Sequence, residues 1–498
     1  MQRITTEIKK VFTLDLRSLS LLRIGIGLVL LLDLAIRATD LKAFYSDEGV
    51  LPLKTLFLHN WNLWNISVHT ISGLWQIQAL LFIVAAFFSF LLLVGYKTTL
   101  SSLICWFLLF SLHTRNPLIL QGGDDLLRMM LFWGIFLPWG KFYSVDAYYK
   151  PEPLEKQVFS VATIGYVLQI LSVYFFAALL KTSSEWTNEG TAIYYALSID
   201  QMVLPLGKLI YPFPVILKWM THLVWHLELL VPFLFLIPYK NAFFRKTGII
   251  LLILLHTGIS VSLFVGLFFL IGIVTLFGMI PSDWIEKFDK IASPVKIMLY
   301  NLYGFWIDYK NKFFKFEFNI KTLWKSSNKW IYRIGNATLS VFIAYTLLWN
   351  FHTTRYSFIN LNNYNTDFIG QLFKIKQKWG MFSPGVFKED GWFILEATTY
   401  DGNVIDIYRN GNQVNYLKPE NIVSLYKNDR WRKFGENSIF KSNSYIRPLY
   451  CQFMFKKWNE ANPHNKIKDL KLIYMMEKTL PDYQYIKPTK KELAFISE

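Results

Sequence analysis

Cysteine is almost missing from this chain: 498 residues contain two, Cys105 and Cys451. One lies in an apolar run and the other far away in a polar region, so neither a disulfide framework nor a cysteine zinc site can be built from them. Internal repeats are also lacking, which argues against a transporter assembled from repeated halves. No basic patch stands apart from the hydrophobic segments. The net charge of +17 therefore reads as a topology signal at membrane edges, and no nucleic-acid partner is expected. The first apolar run, Leu19–Ala38, has no small-residue cleavage pattern and is too long for a signal-peptide core, so it is expected to be retained as a span.

What abounds is apolar. The chain is 53% hydrophobic and 18% aromatic, with a mean hydropathy of +0.29. Such an average calls for membrane spans. Runs of suitable character are Leu19–Ala38, Leu74–Gly95, Leu100–His113, Leu126–Pro138, Val158–Leu180, Leu223–Pro238, Gly248–Pro281 and Ile334–Phe351. Gly248–Pro281 is too long for one span and is expected to break at Gly266, which brings the expectation to about nine spans. Lysine and arginine alternate between the connecting segments in a way that places the N-terminus in the cytoplasm. Lys181 and everything after the last span then fall on the outer face.

The predicted fold is therefore mostly α: a polytopic helical integral membrane protein with a small C-terminal α+β domain outside the membrane. Four regions are expected: a transmembrane domain over 1–285, a basic aromatic interfacial segment over 286–333, a last span over 334–351 and an extracytoplasmic domain over 352–498. The interfacial segment mixes aromatics with lysine, the pattern of a helix lying on a membrane surface. In the last region, "WFILEATTYDGNVIDIYRNG" (392–411) predicts a hairpin turning at Asp401–Gly402. "SIFKSNSYIRPLYCQFMFKKWNEANP" reads as helix punctuated by Pro448.

Charged groups inside apolar segments are costly and mark either pairing or function. Arg23, Asp33 and Arg37 fall in the first run. Asp33 and Arg37, four apart, share a helical face and can neutralise each other. Asp124 and Asp125 open the fourth run, where carboxylates suit a helix N-terminus, and Asp124 is also four residues from Arg128. His222 and His226 have metal-ligand spacing, but Glu228 projects about 200° around the helix from His226, so the three do not converge and no metal is expected. Glu228, deep in an apolar helix, is the better functional candidate. His256 is a lone histidine in a span. Lys181 ends a long uncharged run. It is either a snorkelling lysine complementing a helix C-terminus or a partly desolvated amine able to act as a base. Tyr174, two turns earlier, lies on nearly the same face.

Several separated motifs, in order, resemble the HTTM (horizontally transferred transmembrane) domain shared with vitamin K-dependent γ-carboxylases. They are Leu21–Pro52, "GDDLLRMMLFWGIFLPWGKFYSVD" (123–146), "QILSVYFFAALLKTSSEWTNEGTAIYYALS" (169–198), "LLHTGISVSLFVGLFF" (254–269) and "KWGMFSPG" (378–385). In the animal carboxylases a lysine removes a proton from reduced vitamin K. Oxygen then turns the quinol into a strong base that takes the γ-proton of a protein glutamate, and the carbanion captures CO2. That lysine's context is matched without a gap by Gln169, Tyr174, Phe175, Ala177, Lys181 and Trp186. The resemblance thus implies Lys181 as base, with Glu228 and His256 beside it in a catalytic cavity. Gln169, Tyr174 and Trp186 are implied to bind a reduced vitamin K or another lipoquinone. The histidine that the carboxylases carry upstream of a shared S-V-D falls here on Gly123, which has no proton to offer. His256 matches a later family histidine.

The expected function is accordingly a quinol-dependent, carboxylase-like modification of a secreted peptide or protein, in contact with membrane lipid and placed in a bacterial cytoplasmic membrane. A non-catalytic maturation, export or immunity partner for a secreted peptide is the alternative.

Overall fold

Every run expected to span is helical in the computed structural model, which describes residues 2–148, 155–290, 329–358, 360–361, 366–484 and 486–497. The principal helices are α1 (Leu16–Ala38), α2 (Trp75–Val94), α3 (Thr98–Arg115), α4 (Gly122–Gly134), α5 (Val161–Leu180), α6 (Pro214–Leu234), α7 (Asn241–Ser262), α8 (Phe268–Thr275) and α9 (Lys329–His352). Among the described residues, α1, α2, α5, α7 and α9 are long and apolar enough to cross a membrane. A sixth candidate is a pair, Phe268–Met279 and Ser282–Lys290, bent by 101°. The break between α7 and α8 comes where expected, at Gly266, whose φ of +57° a side chain would oppose. Most of the expected interfacial segment, 291–328, lies outside the described residues.

Local chemistry sets the ends. The Asp15 carboxylate accepts from Arg17 N–H and starts α1, and Ser160 caps α5. Two short strands, β1 (Leu14–Asp15) and β2 (Gln157–Val158), pair antiparallel just before these two helices and bring their starts together. α1 and α5 therefore run in the same direction. α4 runs oppositely: Gln121 and Asp124 form a capping box at its start, and Asp124 meets Arg37 from the last turn of α1. One end of the bundle thus gathers Arg37, Asp124 and Lys181.

The C-terminal region places a five-stranded antiparallel sheet at that same end. Its strands are β3 (Glu389–Thr399), β4 (Val404–Asp406), β5 (Asn412–Gln413), β6 (Ile467–Lys478) and β7 (Thr489–Ser497), in the order β5-β4-β3-β6-β7. The β3–β4 hairpin turns at Asp401–Gly402 as expected, with Gly402 at φ +84°. Its second strand is shorter than the apolar pattern implied, because Ile407–Arg409 coils into a 3-10 turn capped by Asp406. Helices α10 (Asp429–Ile439) and α11 (Ile446–Ala461) complete the region. Pro448 does not interrupt α11. It sits in the first turn, where an N–H has no intrahelical partner to lose.

This region does not pack as a separate body. Phe393, Leu395, Leu470 and Phe434 share one apolar core with Phe44, Tyr45, Leu56 and Ile119 from the connections between α1, α2, α3 and α4. A buried charge cluster reinforces the seam: Asp33 accepts from Arg37 at 2.7 Å, as the spacing implied, while Arg430 of α10 reaches both Asp33 and Asp124. Arg128, expected beside Asp124, instead pairs with Asp125 at 2.8 Å and donates to the Lys374 and Lys376 carbonyls.

Candidate functional site

α5 is apolar along its length and ends where the chain meets polar loops, so Lys181 becomes its C-cap. There the ammonium does not reach for water. Its side chain is 2% exposed, and Nζ lies 2.5 Å from Glu228 Oε2 of α6. A hydrogen bond this short between charged groups is a strong one, and it satisfies two groups that would otherwise be stranded in an apolar setting. The snorkelling reading of Lys181 is thereby replaced by a buried pair.

Three contacts hold the pair in place. Trp225 Nε1–H donates to the Ala178 carbonyl at 3.2 Å, drawing α6 against the last turn of α5. The Trp186 ring lies 5.0 Å from Lys181 Nζ, within cation–π range. Trp186 is itself fixed by donation from Nε1–H to the Phe382 carbonyl at 2.9 Å. The Phe382 carbonyl belongs to a strap, 378–388, whose first part, 378–385, is the KWGMFSPG motif. Thr182 and Ser183 N–H groups both donate to Pro384 O at 3.1 Å. Glu185, buried after the cap, accepts from Ser183 Oγ at 3.0 Å and Val386 N at 3.3 Å, and pairs with Lys388 at 2.7 Å. Gly385 leaves room for this carboxylate: a Cβ there would stand 2.5 Å from Glu185 Oε2 and push it aside.

The other expected residues divide between two neighbourhoods deeper along α5. Tyr174 does not bond Lys181; its hydroxyl lies 2.9 Å from His256 Nε2. His256 is buried, its Nδ1 has no partner among the described residues, and its ring packs 5.5 Å from the Phe268 ring. Gly272 makes room for that imidazole, since a Cβ would fall 2.2 Å from its Cε1. Gln169 sits apart, donating from Nε2 to Gln377 Oε1 at 2.6 Å and accepting from Trp133 Nε1–H at 3.4 Å. The structure thus joins Lys181, Glu228 and Trp186, pairs Tyr174 with His256 separately, and puts Gln169 in a third place.

Gly123 packs against the same wall as His256. A Cβ at Gly123 would lie 3.2 Å from Phe268 Cα and 3.2 Å from Ile271 Cδ1, so any side chain there must displace that wall by a few tenths of an ångström. His226 is exposed, and its Nδ1 lies 2.7 Å from the His222 carbonyl of its own helix.

Residues fitted to an acidic hydroxyl are present. The described hydrogen bonds of the Glu228 carboxylate use Oε2 only, leaving Oε1 to accept, and in the separate Tyr174 neighbourhood His256 Nδ1 is buried with no partner among the described residues. Glu228 Oε1, beside the Lys181 ammonium, can accept from a hydroxyl. No family model, no curated protein and no solved structure matches this chain.

Proposed function

We propose that this chain is an integral membrane enzyme of the kind the motif resemblance implies, one that uses a reduced lipoquinone to modify a secreted peptide or protein. The observation that carries the reading is the 2.5 Å Lys181–Glu228 pair, buried at a helix end and covered by Trp186. A proton can pass along the hydrogen bond from Lys181 Nζ to Glu228 Oε2. Moving it onto Oε2 leaves a neutral amine beside a neutral acid without altering the net charge of the pair, so Lys181 can serve as a base without an isolated charge being buried. Glu228 then holds the proton while Lys181 accepts another. Trp186 and the strap keep bulk water from that exchange. Lys181, Glu228 and Trp186 would hold the quinol. When bound, it supplies an acidic hydroxyl and, with oxygen, the base strength needed against a carbon-bound proton.

Nine crossings with the N-terminus in the cytoplasm give a consistent arrangement: the ends of α1, α5 and α9 and the start of α4 then share the outer face with the sheet. Bacterial cytoplasmic membrane is the setting proposed. Gly123, which has no proton to offer and whose Cβ position is tightly walled, favours a related quinol-linked modification over strict glutamate carboxylation. It also gives weight to the second reading, a non-catalytic partner in maturation, export or immunity of a secreted peptide. Purified protein in nanodiscs, supplied with reduced naphthoquinone, oxygen, labelled bicarbonate and a glutamate-containing peptide, separates these outcomes. Quinol consumption with label in the peptide supports carboxylation, and consumption without label supports the related reaction. No consumption beyond that of Lys181→Ala sinks the enzymatic reading.

A further inference from the structure

The connection between α1 and α2 is expected on sequence grounds to be an ordinary outer loop, yet it turns apolar side chains outward. Leu63 is 98% exposed, and Leu58, Trp64, Ile66, Ile71 and Leu74 are exposed with it. Monomeric soluble surfaces rarely present so many large apolar groups together. Leu74 leads without a break into α2, whose own exposed side chains Ile77, Leu80, Ile83, Phe87 and Phe90 continue the apolar surface down the bundle. On its other flank the patch touches the chain beyond α9: Trp64 and Phe368 rings are 5.7 Å apart, and Lys374 Nζ donates to Asn65 Oδ1 at 2.8 Å. Lys42 Nζ, 4.9 Å above the Trp75 ring, marks the polar border, where lysine and tryptophan gather at membrane–water interfaces.

We infer that residues 57–74 form a monotopic anchor sunk into the lipid headgroup–acyl boundary on the Lys181 side, holding the sheet region against the bilayer. The occupant is lipid because the patch is continuous with the outward face of the span-length helix α2, and the inference rests on the membrane reading of that helix and not on any catalytic role. Anchoring of this kind follows from apolar area set beneath a polar rim.

The test uses the full chain in nanodiscs of phosphatidylcholine and phosphatidylglycerol. Both native cysteines are buried, so Leu63→Cys and Ile71→Cys can be labelled singly with an environment-sensitive fluorophore. Asp401→Cys, at the exposed β3–β4 turn, is the aqueous control, and the unsubstituted chain checks that the native thiols stay unlabelled. The expected result is blue-shifted emission at positions 63 and 71, quenched by brominated acyl chains and spared by iodide, with the reverse at 401. Iodide quenching at 63 and 71 equal to that at 401 overturns the inference. Shielding from both quenchers also overturns it, since that result means protein covers the patch.

Discussion

Arg430 Nη2 lies 2.7 Å from Asp33 Oδ1, a side chain 397 positions earlier, while Arg430 Nη1 lies 2.5 Å from Asp124 Oδ2. With Arg37 bonded to both carboxylates, two aspartates and two guanidiniums balance inside the seam between the bundle and the sheet region. Removing Arg430 leaves one buried carboxylate without compensation. Arg430→Ala is therefore expected to destabilise the fold by about 3–5 kcal/mol, the cost of breaking a buried pair. Arg430→Lys should recover only part of that, because an ammonium lacks the fork that spans two carboxylates. Thermal unfolding in detergent, together with protease sensitivity near 389–497, reads both. Wild-type stability in Arg430→Ala contradicts the seam.

Three of the four members of this cluster were legible in the sequence. Asp33 and Arg37 sit one helical turn apart, and Asp124 stands where a helix start favours a carboxylate, so local periodicity was enough. Arg430 was not legible, because its contacts span more than three hundred positions and it lies in a polar segment where an arginine needs no explanation. The sequence offered Arg128 as a partner for Asp124, so nothing in it asked for one more buried cation. Lys181 and Glu228 were each conspicuous alone, but their pairing depends on how α5 packs against α6. That packing is a tertiary fact, and no helical period encodes it.

Glu228→Gln and Lys181→Ala should differ in kind. Lys181→Ala removes the proposed base and should abolish quinol consumption. Glu228→Gln keeps the shape but removes the proton store, so turnover should fall by about 10²–10⁴-fold, the usual range for general acid–base groups. The double variant should be no worse than Lys181→Ala alone, since the two act as a unit. Additive losses would place Glu228 outside that unit.

Gly123→His is expected not to supply a working histidine here. Its side chain would press on Phe268 Cα and Ile271 Cδ1, and backbone cannot move aside as a flexible side chain can. Overpacking of this sort typically costs about 1–3 kcal/mol. A lower Tm without gain of carboxylation is expected. Unchanged Tm with new label incorporation would show that the wall yields.

Asp390, at the start of β3, couples the sheet to the loop carrying Asp200 and Gln201. Burial raises its carboxyl to about 7, and the nearby Asp200 charge adds to this. Lys418 pairs with Asp200 and Glu477 across the same junction, and Tyr426 and Tyr474 close it. In the unfolded chain Asp390 releases its proton near its usual value, while in the folded chain it keeps the proton up to about 7. Folded protein thus binds the extra proton between these limits. Its contribution is fully present below the unfolded value and is lost as pH rises through the folded one. Asp390→Asn removes this dependence. The difference in stability between variant and wild type should therefore shift in the variant's favour up to pH of about 7 and then level off. Denaturant midpoints of both proteins across that range provide the check, and a constant difference would refute it.

The strap should govern how accessible Lys181 is, whether or not the chain is an enzyme. Glu185 joins the loop after α5 to Val386 and Lys388, and the same segment fixes Trp186 over Nζ through the Phe382 carbonyl. Glu185→Gln keeps an acceptor for Val386 N–H but loses the charge that holds Lys388, so the strap should loosen without collapse. Gly385→Ala should loosen it more, by driving a Cβ into the Glu185 carboxylate. Amine acylation followed by peptide mass analysis measures the consequence: Lys181 is expected to be nearly inert in the wild type, faster in Glu185→Gln and fastest in Gly385→Ala. Exposed Lys457 should react equally in all three. If Lys181 reacts in the wild type as readily as Lys457, its burial beneath the strap does not persist in solution, and both the cover and the water-excluded base built on it fail together.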